Sequence, residues 1–184
     1  MLGFGDKLAR RLCPENLSSH RRLGYHLRKP VSGKLIWDFR SFADLSAAEV
    51  YEALAARQEV FVVEQNCVFL DADGSDGEAW HLLGRVDGTL MAYARLLPPG
   101  AKYEEASIGR VLTTRSGRGR DFGRALMAEA IRKMEELFPG QPIRIGAQLY
   151  LQRFYESFGF EATSEVYVED NIPHVEMLRR QVAD

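Results

Sequence analysis

Apolar residues recur along this chain with two periods, and the switches between them mark out its elements. Ser46 and Glu49 have the spacing of a capping box, and from there Val50 and Leu54 continue a helical stripe through Arg57 toward the apolar run Val60 to Val63. Two strand-like runs follow, His81 to Val86 and Leu90 to Leu97, with Asp87-Gly88 between them as a two-residue hairpin turn. A third run, Ser107 to Thr113, enters the glycine- and arginine-rich segment Ser116 to Arg124. Beyond it Phe122, Leu126, Ala130, Met134 and Phe138 repeat every four residues, a helical stripe that Pro139-Gly140 stops. A fourth strand, Ile143 to Ala147, runs into a short helix carrying Gln148, Leu151, Phe154, Tyr155 and Phe158, with Gly159 placed to end it. This alternation predicts one mixed α/β domain over residues 35–184.

The unit from Ile108 to Phe138 is built to hold an anion. A glycine-rich turn leaves backbone N–H groups unobstructed, and the start of a helix adds unpaired donors at the positive end of its dipole. Arg118, Arg120 and Arg124 bring positive charge to the same turn, which suits a diphosphate. Taken alone, the pattern fits a tight structural turn equally well.

The two blocks together resemble the GCN5-related N-acetyltransferase (GNAT) family. Arg118-Gly119-Arg120-Asp121-Phe122-Gly123 is similar to that family's Q/R-x-x-G-x-G/A signature, with Asp121 where a glycine is usual. Gln148 through Phe154-Tyr155 to Gly159-Phe160 is similar to its second signature, with Gln148 where Asn is usual. Asp121 keeps its backbone N–H and is placed to cap the helix. Further segments resemble the ElaA-type branch of the family: Val60 to Cys67, Ala92 to Arg95, Ile108 to Val111, Ile145 to Gln148 and Glu169 to His174. The resemblance covers about residues 38–180.

It implies a GNAT fold, a single domain whose central mixed sheet, flanked by helices, splays open between Ser107–Thr113 and Ile143–Ala147. Acetyl-CoA is the implied co-substrate, with its pantetheine along Val111, Leu112 and Thr113 and its diphosphate on Arg118 to Arg124. Gln148 stands at the cofactor side of the second signature. The main-chain N–H near Val111 is the implied oxyanion donor and Tyr155 the implied general acid. Direct attack by an amine in a ternary complex then needs neither a metal nor a covalent enzyme intermediate. Glu64, His81, Glu169 and His174 are candidate bases, with Glu64 favoured because it adjoins an apolar run. On pattern alone the two histidines read as structural. Arg95 and Arg110 are substrate ligands or ion-pair partners. A non-catalytic acyl-CoA sensor on the same fold is the alternative function, and it would not need Tyr155.

Composition narrows the partners. At 46% hydrophobic and 27% charged, the chain has the make-up of an ordinary globular protein, without the roughly 20-residue apolar run of a membrane span. Cys13 and Cys67 form no metal or disulfide spacing, which points to a reducing, cytoplasmic compartment. Residues 1–40 hold nine Lys/Arg against three Asp/Glu, and the remaining 144 hold 15 against 23. The first 34 residues therefore read as a flexible basic extension. The acidic remainder argues against a nucleic-acid partner and for an amine acceptor. The loop from Asp71 to Glu78 begins like a calcium loop but has Asp76 and Leu82 where such a loop needs glycine and glutamate. It reads as solvated, or as an attractor of a cationic amine. The acceptor's identity is left open, as is a homodimer.

Overall fold

A computed structural model describes residues 33–181. The expected extension, apart from Gly33 and Lys34, lies outside the described residues. In chain order the elements are β1 (Ile36–Ser41), α1 (Ala47–Arg57), β2 (Trp80–Val86), β3 (Thr89–Leu97), β4 (Ala106–Thr113), α2 (Phe122–Leu137), β5 (Ile143–Gln148), α3 (Gln152–Glu156), β6 (Glu161–Ala162), β7 (Tyr167–Glu169) and β8 (Ile172–Arg179). The described strands form one mixed sheet in the order β1-β2-β3-β4-β5-β8-β6, with β7 paired to β8 off this path. Only β4 and β5 run parallel; every other pairing is antiparallel.

Local chemistry accounts for the boundaries. Ser46 Oγ accepts the Glu49 N–H while the Glu49 carboxylate accepts the Ser46 N–H, so the expected capping box starts α1. Asp87 and Gly88 have φ of 49° and 77°, both positive as a hairpin turn matched to strand twist requires. Gly159 ends the short helix with φ 83°. The run Val60 to Val63 continues α1 as a π-helical stretch, Gln58–Glu64, with Val60 and Phe61 partly buried against the core and Val63 exposed.

The sheet is covered on both sides. Leu82, Ala92, Ala94 and Leu96 face α2 with Leu126, Ala130 and Met134, while Leu83, Leu90, Tyr93 and Leu112 pack with Ala53 and Ala56 of α1. Neighbouring residues such as Leu82 and Leu83 thus serve opposite layers. This double coverage buries nearly all of β3. Among the described residues no helix is long and apolar enough to cross a membrane.

Candidate active site

The site begins where the sheet fails to close. β4 and β5 pair only at Ala106 with Ile143 and Ser107 with Arg144, and past those residues the ladder stops. On its other side β4 slips register, because Tyr93 pairs with Leu112 and Arg95 with Gly109. Arg110 and Val111 therefore oppose Ala94 alone, a bulge that bends and twists the strand. A cavity of about 710 Å³ lies in the gap, with Val111, Leu112 and Thr113 along one wall and Gln148 and Tyr155 along the other. The splay expected between these strands is present.

At the far end of β4 the chain makes a short helical turn, Arg115–Gly117, and then the loop Arg118 to Asp121 before α2. Gly119 has φ 73°, and a Cβ there would meet nothing within 4 Å, so this side of the turn is open. Asp121 occupies the position before the helix with φ 58° and makes no side-chain cap, contrary to expectation. It adopts the left-handed conformation that a glycine would supply, and aspartate tolerates it better than most residues. Turns that mix the two hands point successive amides into one concavity, the geometry that receives phosphate oxygens. Gly123 follows Phe122 in the first turn of α2, where helix amides lack intrahelical acceptors. Arg124 lies over the Phe158 ring at 4.9 Å and donates to Ser157 Oγ. These residues fit a diphosphate-bearing co-substrate, through main chain more than through side chains.

Tyr155 lies on α3 against the cavity, 7% exposed, with its ring edge-on to Phe154 and Phe160. Burial pushes its hydroxyl up to about 12, so it stays protonated and available as a donor. Gln148 donates from Nε2 to Gln65 Oε1, tying the end of β5 to the segment after the π-helical stretch.

The candidate bases separate. Glu64 accepts from Arg118 Nη2 at 2.5 Å and from Arg115 Nε at 2.8 Å. Arg118, with Arg115, holds its carboxyl below the usual range, which makes it a weak base with both oxygens engaged. That departs from the role expected of it, because partners some fifty residues away are invisible in the apolar pattern around it. His81 is buried outside the cavity wall, between Tyr93 Oη at 2.8 Å and the Asp76 carbonyl at 3.1 Å. His174 lines the cavity, and its Nδ1 is 2.8 Å from the Ile172 carbonyl. A carbonyl only accepts, so Nδ1 carries the hydrogen and Nε2 of the neutral ring keeps its lone pair. Tyr167 stacks on the same ring, and exposed Glu169 also borders the cavity.

The acidic loop is largely exposed, but its three aspartates are not free to attract an amine. Arg57 binds Asp71 at 2.8 Å and Asp76 at 2.6 Å; Arg95 binds Asp73 at 2.7 Å and Asp76 at 3.0 Å; Arg110 binds Asp71 at 2.7 Å and Asp73 at 3.2 Å. Three carboxylates are matched by three guanidinium groups from α1, β3 and β4, and Arg57 and Arg95 are almost fully buried. The sequence concealed this because each partner lies 14 to 39 residues from the loop. Three aspartates at alternate or near-alternate positions, with single arginines inside apolar elements, were the signal available.

A pH dependence follows. Burial alone would raise the Asp73 carboxyl, but its bonds to Arg95 outweigh that and hold it far below its ordinary 3.8. Such a group contributes its stabilisation above the ordinary value and loses it as the pH falls through the depressed one. The melting-temperature gap between wild type and Asp73→Asn should hold steady from pH 8 to about 5 and close below about 4. A gap that changed between pH 6 and 8 would assign the effect to another group.

Comparison with known proteins agrees with this geometry. Residues 76–180 match the family model of the acetyltransferase (GNAT) domain. A UPF0039 protein of Synechocystis sp. is 46% identical over 145 residues, covering 78% of this chain and 94% of its own length. Protein ElaA of Escherichia coli is 41% identical over 148 residues, covering 79% and 97%. Among solved structures, an acyl-CoA N-acyltransferase from Pseudomonas aeruginosa superposes with a TM-score of 0.76 at 42% identity, over 79% of this chain and 99% of the other. The crystal structure of Escherichia coli ElaA gives 0.75 at 40% identity, over 80% and 100%. These relatives are matched over nearly their whole length, and the chain belongs to the GNAT acetyltransferase family, in its ElaA-type branch.

Proposed function

We propose that the protein transfers the acetyl group of acetyl-CoA to a primary amine by direct attack, with donor and acceptor held together between β4 and β5. The observation that carries this reading is that Tyr155, a buried and protonated donor, lines the same cavity as the β4 bulge at Val111. Acetyl-CoA supplies a thioester, an acyl group already activated for attack. The β5-facing edge of Val111, Leu112 and Thr113 binds the pantetheine as an added strand. The loop around Gly119 and Gly123 and the first amides of α2 receive the diphosphate.

An amine with a lysine-like pKa of about 10.4 is neutral in only about one molecule in a few thousand at pH 7. His174 Nε2 takes its proton, a role that its fixed tautomer and its place on the cavity wall support better than the arginine-bound Glu64. As the nitrogen–carbon bond forms, the Val111 N–H donates to the developing oxyanion. As the carbon–sulfur bond breaks, Tyr155 donates to the departing thiolate.

Purified protein mixed with acetyl-CoA and a panel of amines should release free thiol with at least one of them. Binding of CoA without thiol release from any amine would make the chain an acyl-CoA sensor instead. Placement of the diphosphate has its own test. A Cβ at Gly123 would meet only Thr113 Cγ2 at 3.9 Å, so Gly123→Val should fold. Its branched side chain should nevertheless abolish the rise in melting temperature that CoA gives the wild type. An unchanged rise would put the diphosphate elsewhere.

A further inference from the structure

Among the described residues six other than glycine have positive φ, and five of them, Asn66, Asp87, Asp121, Asp170 and Asn171, are of the two types that best tolerate it. Arg110, with φ 51°, is the sixth, and it alone lies inside a strand. For a long side chain this conformation is disfavoured by roughly a factor of 5 to 150 and persists only where the surroundings enforce it.

The enforcement is visible in its side chain. Arg110 Nε donates to Asp71 Oδ1 at 2.7 Å, and Nη2 donates to the Asp71 carbonyl and to Asp73 Oδ2, both at 3.2 Å. The guanidinium lies 5.5 Å from the centre of the Phe69 ring. Asp71 is itself buried and gripped by Arg57, so the anchor is not a loose surface ion pair. Phe69 and Leu70 of this loop line the cavity, as do Arg110 and Val111.

We propose that Arg110 is a positioning residue for acyl transfer: anchored to Asp71 and Asp73, it holds the β4 bulge in the conformation that keeps the Val111 N–H out of the β3 ladder and free for the oxyanion. This rests on the role proposed for Val111. Arg110 does not touch the reacting atoms. Its work is on its own backbone, whose left-handed turn takes residues 110 and 111 out of register.

Glycine adopts this φ without an anchor, whereas alanine does not. Arg110→Ala should therefore slow single-turnover thiol release about 30-fold, with acetyl-CoA affinity within threefold of wild type. Arg110→Gly should recover at least tenfold of that loss although it lacks the guanidinium. Amide hydrogen exchange at Val111 should slow at least tenfold in Arg110→Ala, as its N–H enters the β3 ladder, and by less in Arg110→Gly. That measurement needs no turnover, so it tests the positioning role even if no amine is accepted. Arg110→Lys, which keeps the charge but loses the fork, provides the intermediate case should Arg110→Ala not fold, with release slowed about fivefold and exchange at Val111 slowed. An Arg110→Gly protein no faster than Arg110→Ala would overturn the proposal and make the guanidinium a direct ligand. Unchanged exchange at Val111 in Arg110→Ala, or in Arg110→Lys where that variant stands in, would overturn it as well.

Discussion

Tyr155→Phe is expected to cut kcat about 100-fold while leaving KM for acetyl-CoA within about threefold. The change removes one hydroxyl and almost no volume, and the ring contacts with Phe154 and Phe160 survive it, so neither fold nor co-substrate binding should suffer. The size of the loss follows from acidity. A thiol titrates near 8.5, whereas burial raises Tyr155 to about 12, a difference of about 3.5 pH units or roughly 5 kcal/mol. In the proposed mechanism Tyr155 therefore does not hand over its proton early but donates a hydrogen bond that strengthens as charge gathers on sulfur, which would favour the transition state over the bound substrate. If product release limits turnover, the effect will be masked in steady state and recovered in single-turnover rates. Wild-type single-turnover rates in Tyr155→Phe would leave water to protonate the thiolate.

The largest loss of stability should come from Arg57→Ala, at about 3–5 kcal/mol, or on the order of 10 °C in melting temperature for a domain of this size. Arg57 is 1% exposed and bridges Asp71 and Asp76, so its removal leaves three carboxylates to two guanidinium groups, with Asp71 and Asp76 each losing one of two arginine partners in a poorly solvated place. Arg132 offers the contrast: it too binds two carboxylates, Glu129 and Glu136, but half exposed on α2, and Arg132→Ala should cost no more than about 0.5 kcal/mol. Thermal melts of the two variants decide the matter. Equal costs would mean that the buried network breaks even against its desolvation. The same reasoning replaces the idea that the loop steers a cationic acceptor, because neutralising its aspartates should damage the fold before it alters KM.

Periodicity located the sheet's centre well. β2, β3, β4 and β5 each begin or end within one residue of the runs read from the sequence, because strong alternation and clear turn residues bound them. The outer strands were missed for physical reasons. β1 is an edge strand with no buried residue, and β6 and β7 are two and three residues long. β8 does alternate at first, with Val175 and Met177 buried and His174 and Glu176 half-buried, but Pro173 interrupts the signal near its start. At the site, the segments contributed by neighbours in sequence were legible: the loop at Gly119 to Gly123, Tyr155, and the splay. What depended on distant pairing was not. The acidity of Glu64, the tautomer of His174 and the fate of the aspartates are set by residues that only the folded sheet brings near.

The short junction between β4 and β5 has a mechanical meaning. The sheet is two antiparallel halves, β1 to β4 and β5 to β8, sewn together by two residue pairs and otherwise linked through the side chains that share the core beneath α2. Past those pairs the main-chain groups along the two lips do not bond to each other across the opening. A molecule that lies in the opening and bonds to either lip acts as a stitch, so the rigidity of the whole sheet becomes a property of the occupied protein. Occupancy by the donor should then be felt far from the thioester, as slower opening of β1 at one margin and of β6 at the other.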